Sequence, residues 1–133
     1  MATLFTRILA GELPARFVYR DAHTAAFLTI APIRPGHTLV VPVAEVDDWL
    51  DLPPDTLAAL TATSRRVGAA IKDVFQPRRV ALMLVGLEVP HCHVHLVPIT
   101  DESQLSFALA DPHPDPADLD DVAARLSDAL AAS

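Results

Sequence analysis

The segment that could do chemistry is Gly86-Leu87-Glu88-Val89-Pro90-His91-Cys92-His93-Val94-His95-Leu96-Val97-Pro98, in which three histidines occupy alternate positions. Side chains alternate across a strand. His91, His93 and His95 therefore project from one face, and Cys92, Val94 and Leu96 from the other. The apolar face belongs against a core, which leaves a row of imidazoles spaced by about 7 Å along the backbone. Six histidines in the chain would seldom produce such a row as surface decoration. Zinc binding is one chemistry to weigh, since histidines at i and i+2 can chelate a zinc ion about 2.0–2.1 Å from each nitrogen. The third histidine is displaced by about 13 Å from the first, however, and no second motif supplies ligands from Asp, Glu or His37. Nucleophilic attack on phosphorus suits the pattern better. A neutral imidazole, with an ordinary pKa of ~6.5, is nucleophilic at neutral pH, and neighbouring histidines can fix its tautomer and hold phosphate oxygens. No metal and no other cofactor is expected.

The elements that must position this row can be read along the chain. Leu4, Phe5, Ile8 and Leu9 share one side of a short helix closed by Gly11. Phe17–Tyr19 and Ala25–Ile30 read as strands joined by a turn at Asp21-Ala22-His23, and His37–Pro42 as a third that Pro42 ends or holds at an edge. Asp51-Leu52-Pro53-Pro54 signals entry to a long helix ending near Phe75, with Leu57, Leu60, Val67, Ala70, Ile71 and Val74 on one face and Ser64 interrupting it. Val80–Val85 reads as a buried strand, and His91–Val97 as the last strand, stopped by Pro98. Beyond the stiff Pro112–Pro116 link, Leu119, Val122, Ala123, Leu126 and Leu130 mark a terminal helix over about 117–131, capped near Asp115. The expected class is α+β, with an antiparallel sheet of about five strands, one long helix and a C-terminal helix. One domain is expected over 1–133, its core at 4–100 and the link and last helix at 101–133.

Composition removes several classes of function. A chain of 133 residues can bury one core of ordinary size without staples, and its single cysteine, Cys92, forbids an intrachain disulfide. Cys92 falls on the apolar face and reads as a small buried hydrophobe. Net charge is −7, and the ten Lys and Arg residues form no stripe that would track a phosphate backbone, which argues against nucleic acid as a partner. The N-terminus lacks a signal-peptide layout and no apolar run approaches the ~20 residues of a membrane span, so a soluble cytoplasmic protein is expected. His23 and His113 fall in loops. Trp49 and Leu50 are expected to pack ahead of the long helix.

His91-Cys92-His93-Val94-His95-Leu96-Val97 resembles the signature of the histidine-triad (HIT) family, in which histidines alternate with apolar residues and two apolar residues close the motif. The resemblance extends over Leu4–Ala15, Ala26–Pro32, Pro35-Gly36-His37 and Val40-Val41-Pro42, and so runs from about Leu4 to Thr100. It implies a HIT-like fold, a homodimer, and hydrolysis or transfer at the α-phosphorus of a nucleotide: a phosphoramidate, dinucleoside polyphosphate or acyl-nucleotide. It also implies that His93 is the nucleophile and forms a phosphohistidine intermediate. His91 and His95 would orient it, hold phosphate oxygens and help protonate the leaving group. His37 matches a fourth family histidine near the site. A nucleoside pocket would be lined by Phe5, Ile8, Leu13, Phe27, Thr29 and Ile30, most of which read on their own as core residues. A nucleotide-binding module with little turnover, or a metal-binding protein using the histidine strand, are the alternatives.

Two positions depart from the family pattern. Many members carry aspartate where Thr29 stands, to hold the ribose hydroxyls, and a threonine grips them less strongly. Many also carry Gly-Gln before the triad, where this chain has Gly86-Leu87 and then Glu88. Leucine donates no hydrogen bond to phosphate, and Glu88 reads as a solvated charge pointing away.

Overall fold

The computed structural model describes residues 2–133. Helix α1 (Leu4–Leu9) begins at Thr3, whose hydroxyl accepts the Thr6 N–H. Phe5, Ile8 and Leu9 are buried, whereas Leu4 stays outside. Each buried side chain contributes about 1.5–3 kcal/mol, which a six-residue helix needs because its own hydrogen bonds cannot sustain it. Strands β1 (Phe17–Arg20) and β2 (Thr24–Leu28) form a hairpin, and the Asp21 carboxylate ties its turn by accepting the N–H groups of His23 and Thr24, both at 2.8 Å. β3 (Thr38–Pro42), α2 (Pro54–Phe75), β4 (Arg79–Leu84), β5 (Val94–Ile99) and α3 (Pro116–Ala131) follow. The sheet is antiparallel throughout, in the order β1-β2-β3-β5-β4.

Both faces of the sheet centre are covered. Val18, Ala26, Leu28, Val40, Val94 and Leu96 pack under α2 and α3, which add Leu60, Val67, Ile71, Leu126 and Leu130. Ser64 lies within the buried face of α2, its hydroxyl satisfied by the Leu60 carbonyl at 2.8 Å. On the opposite face Ala25, Phe27, Leu39 and Val41 meet Phe5, Ile8 and Leu9 of α1. Asp115 caps α3, its carboxylate accepting the Ala117 N–H at 2.9 Å. No described helix is long and apolar enough to cross a membrane.

Several boundaries differ from the sequence reading. β2 stops at Leu28, which leaves Thr29 and Ile30 in the following turn. The last strand begins at Val94 and runs through Pro98 to Ile99. Pro98 is tolerated because β3 pairs with β5 only as far as Leu96, so the missing N–H faces no ladder partner there. Pro42 ends a strand that lies between two others, not one at an edge. β4, although apolar, is an edge strand, with Leu82 52% exposed. An apolar run carries no information about whether a neighbour covers it. Finally, Gly36 has φ 96°, and a Cβ there would meet the Phe75 ring at 2.8 Å, so the loop before β3 fits closely against the end of α2.

Candidate active site

His91 and His93 precede β5 in an irregular stretch. There the His91 N–H donates to the Val89 carbonyl at 2.8 Å and the Cys92 N–H to the Val46 carbonyl at 2.7 Å. The alternation expected of a strand nevertheless holds. Cys92, Val94 and Leu96 join the core under α2, while the Phe5 ring of α1 meets His91 at 5.7 Å and His93 at 4.9 Å between centroids. The His93 and His95 rings are 4.9 Å apart.

Hydrogen bonds assign each proton. Nδ1 of His93 lies 2.7 Å from the His91 carbonyl oxygen, which can only accept, so Nδ1 carries the proton and Nε2 the free lone pair. The Ile33 N–H donates to Nδ1 of His37 at 3.0 Å, which forces the His37 proton onto Nε2. Nε2 of His37 is 3.0 Å from Nδ1 of His95, which must then accept, leaving the His95 proton on its own Nε2. His93 thus offers a lone pair and His95 a donor. His91 differs. Its Nε2 donates to the Pro42 carbonyl and its Nδ1 meets the Thr3 hydroxyl, both at 2.8 Å, and the ring is fully buried. No ring nitrogen of His91 is left for a phosphate oxygen; its part is to hold the carbonyl that orients His93. His37, also buried with both nitrogens engaged, reaches the site only through His95.

Burial disfavours the charged forms of His37, His93 and His95. It pushes His37 down to about 3, helped by the nearby His95, and pushes His95 down to about 4, helped by His93. His93 is also lowered, chiefly by burial; its bond to the His91 carbonyl and the charge of Glu88 act the other way. Burial, with Asp48 and Asp47 nearby, raises the Cys92 thiol to about 11, which fits an inert side chain.

Of the residues expected to line a nucleoside pocket, Phe5, Ile8 and Phe27 form one buried cluster against which Leu13 packs. Phe5 touches the His93 ring and supports it from below. The Thr29 hydroxyl accepts the Ala31 N–H at 3.2 Å, and Ile30 is 75% exposed. Leu87 is 90% exposed and Glu88 also lies outside, although its charge is felt at His93. Trp49 and Leu50 do not pack as expected. Trp49 is 42% exposed and borders, with Asp47, Asp48, Leu84 and Leu87, a cavity of about 280 Å³ that His93 also lines. Two further contributors escaped the sequence reading. Phe107, on a 3₁₀ turn capped by Ser106, stacks edge-on to His95 at 5.1 Å. Thr3 joins His91 to Thr6 and Glu45 through hydroxyl contacts. The Asp101–Gln104 capping box was a legible sign that the segment before Phe107 is ordered.

The site is thus a two-faced antiparallel sheet with His95 on β5, His91 and His93 just ahead of that strand, and His93 offering a lone pair beside a cavity. The HIT domain family matches residues 10–102, and the chain belongs to that family. It is similar to a zinc-bound histidine triad family protein from Mycobacterium smegmatis, 30% identical, with a TM-score of 0.85 over 99% of this chain and 95% of that one. Among named relatives, an adenosine 5′-monophosphoramidase of Saccharomyces cerevisiae is 29% identical over 76% of this chain and 65% of its own length. An asymmetrical bis(5′-nucleosyl)-tetraphosphatase of Schizosaccharomyces pombe is 38% identical over 60% of this chain and 47% of its own. These relatives support a nucleotide hydrolase as the kind of protein. Among the described residues no three His, Cys, Asp or Glu are grouped to hold a metal ion.

Proposed function

We propose that the chain is a nucleotidyl hydrolase or transferase that uses His93 as nucleophile. The observation that carries this reading is the bond from Nδ1 of His93 to the His91 carbonyl, which leaves the Nε2 lone pair free beside the cavity. That lone pair attacks the α-phosphorus of a nucleotide. A P–N bond to His93 forms as the bond to the leaving group breaks, and the leaving atom keeps the electron pair. Nε2–H of His95 donates a hydrogen bond to the phosphoryl or departing oxygen or nitrogen, and such fixed donors strengthen in a dry site. Water then cleaves the phosphohistidine, and the proton it loses balances the one that the leaving group gains. His91 and His37 position the two acting rings, and Phe5 backs His93. Leu13, Thr29 and Ile30, which retain access, are the remaining candidates to meet the nucleoside, over Ile8 and Phe27 beneath. One domain spanning 1–133, a cytoplasmic homodimer and a nucleotide substrate complete the proposal. Incubation with adenosine 5′-phosphoramidate should give turnover that His93→Ala abolishes, and quenching should trap a nucleotidyl mass on His93. Near-normal turnover by His93→Ala would overturn the assignment.

A further inference from the structure

The wall of the His93 cavity contributed by the loop after β3 has no part in the chemistry above, yet it is built against the nucleophile. The bond from the Cys92 N–H to the Val46 carbonyl ties that loop to the triad, so the next three residues, Asp47, Asp48 and Trp49, border the same space as His93. His93 is 6% exposed, and its Nε2 has no hydrogen-bond partner among the described residues but is not sealed from solvent.

Resting on the proposed nucleotidyl transfer, we infer that Asp47, Asp48 and Trp49 form a subsite for a leaving group that carries a positive charge, an alkylammonium or guanidinium joined through a short chain to the atom displaced from phosphorus. No cationic side chain borders the cavity. Asp48 uses one carboxylate oxygen to accept the Leu50 N–H at 3.0 Å, and neither aspartate is in an ion pair among the described residues. Both carboxylates are close enough to act on the Cys92 thiol across the cavity wall. Trp49, which is partly exposed and lines the same cavity, adds an indole, the best aromatic partner for a cation. A polyphosphate leaving group would set its own negative charges against these carboxylates, and a net charge of −7 adds to that repulsion. Three donors grouped for a metal ion are absent among the described residues, which makes an organic cation the better occupant.

The test compares two adenosine 5′-phosphoramidates, one of 1,4-diaminobutane with its free terminal ammonium and the other its mono-N-acetyl counterpart. Wild-type kcat/KM should favour the cationic substrate by about tenfold, a ratio that falls as salt is added. In Asp47→Asn/Asp48→Asn the ratio should fall to within about twofold of unity. Asparagine caps as well as aspartate, so the turn at Trp49 is retained, and Asp47→Asn alone, outside the cap, should already lower the ratio. Equal use of both substrates by the wild type, or an unchanged ratio in the variants, would overturn the inference and leave the proposed function standing. No turnover of either substrate would overturn both.

Discussion

Replacing His37 with Gln should remove one specific part of the protein's acid sensitivity. In the folded protein the His37 pKa is lowered from 6.5 to about 3, because the ring is buried and already accepts the Ile33 N–H while donating to His95. The unfolded chain takes up a proton near pH 6.5 that the folded chain refuses, so stability falls as pH drops through 6.5, and the loss ends only near the folded value. Between pH 7 and pH 5 a shift of this size removes about 2 kcal/mol of stability, at 1.36 kcal/mol per unit. His95, lowered to about 4, removes a similar amount. Glutamine does not titrate, and its amide can still donate toward Nδ1 of His95. Urea unfolding at pH 7 and pH 5, at one ionic strength, measures the difference directly. His37→Gln should lose about 2 kcal/mol less than the wild type over that interval. Equal losses in the two proteins would refute the view that His37 is held neutral in the fold.

Three other outcomes are expected. Hydrolysis of an adenosine phosphoramidate should survive prolonged chelation, and bound zinc whose removal abolishes turnover would reverse that expectation. Thr29→Asp with Leu87→Gln should raise kcat/KM on the same substrate by about tenfold or more, since one charged hydrogen bond to a ligand is worth ~1.5–3 kcal/mol; wild-type turnover already at the level of the phosphoramidase relatives would contradict the reasoning. Light scattering at micromolar concentration should show a dimer, with Leu82→Lys on the exposed edge strand shifting it toward monomer, and a monomeric wild type would refute this.

The sequence carried the class of fold and the family, because both rest on local pattern. Leu57 to Val74 recur at helical spacing and did form α2, and the alternation of His91, His93 and His95 predicted their shared face even though the strand itself starts only at Val94. Non-local facts were not legible. Val80–Val85 could not reveal that β4 would have a neighbour on one side only. His91 was expected to hold phosphate, but whether a ring nitrogen is free depends on Thr3, 88 residues away in the chain. Phe107 and Trp49 reach the site from three-residue 3₁₀ turns, too short for a period to mark which way a side chain faces.

The protons of the site are fixed by main-chain groups: the His91 carbonyl sets His93, and the Ile33 N–H sets His37 and, through it, His95. Side-chain substitution at residue 33 or in the cavity wall leaves those partners in place, unless proline removes the amide. The proton arrangement of these rings can therefore stay constant while the side chains around the cavity drift.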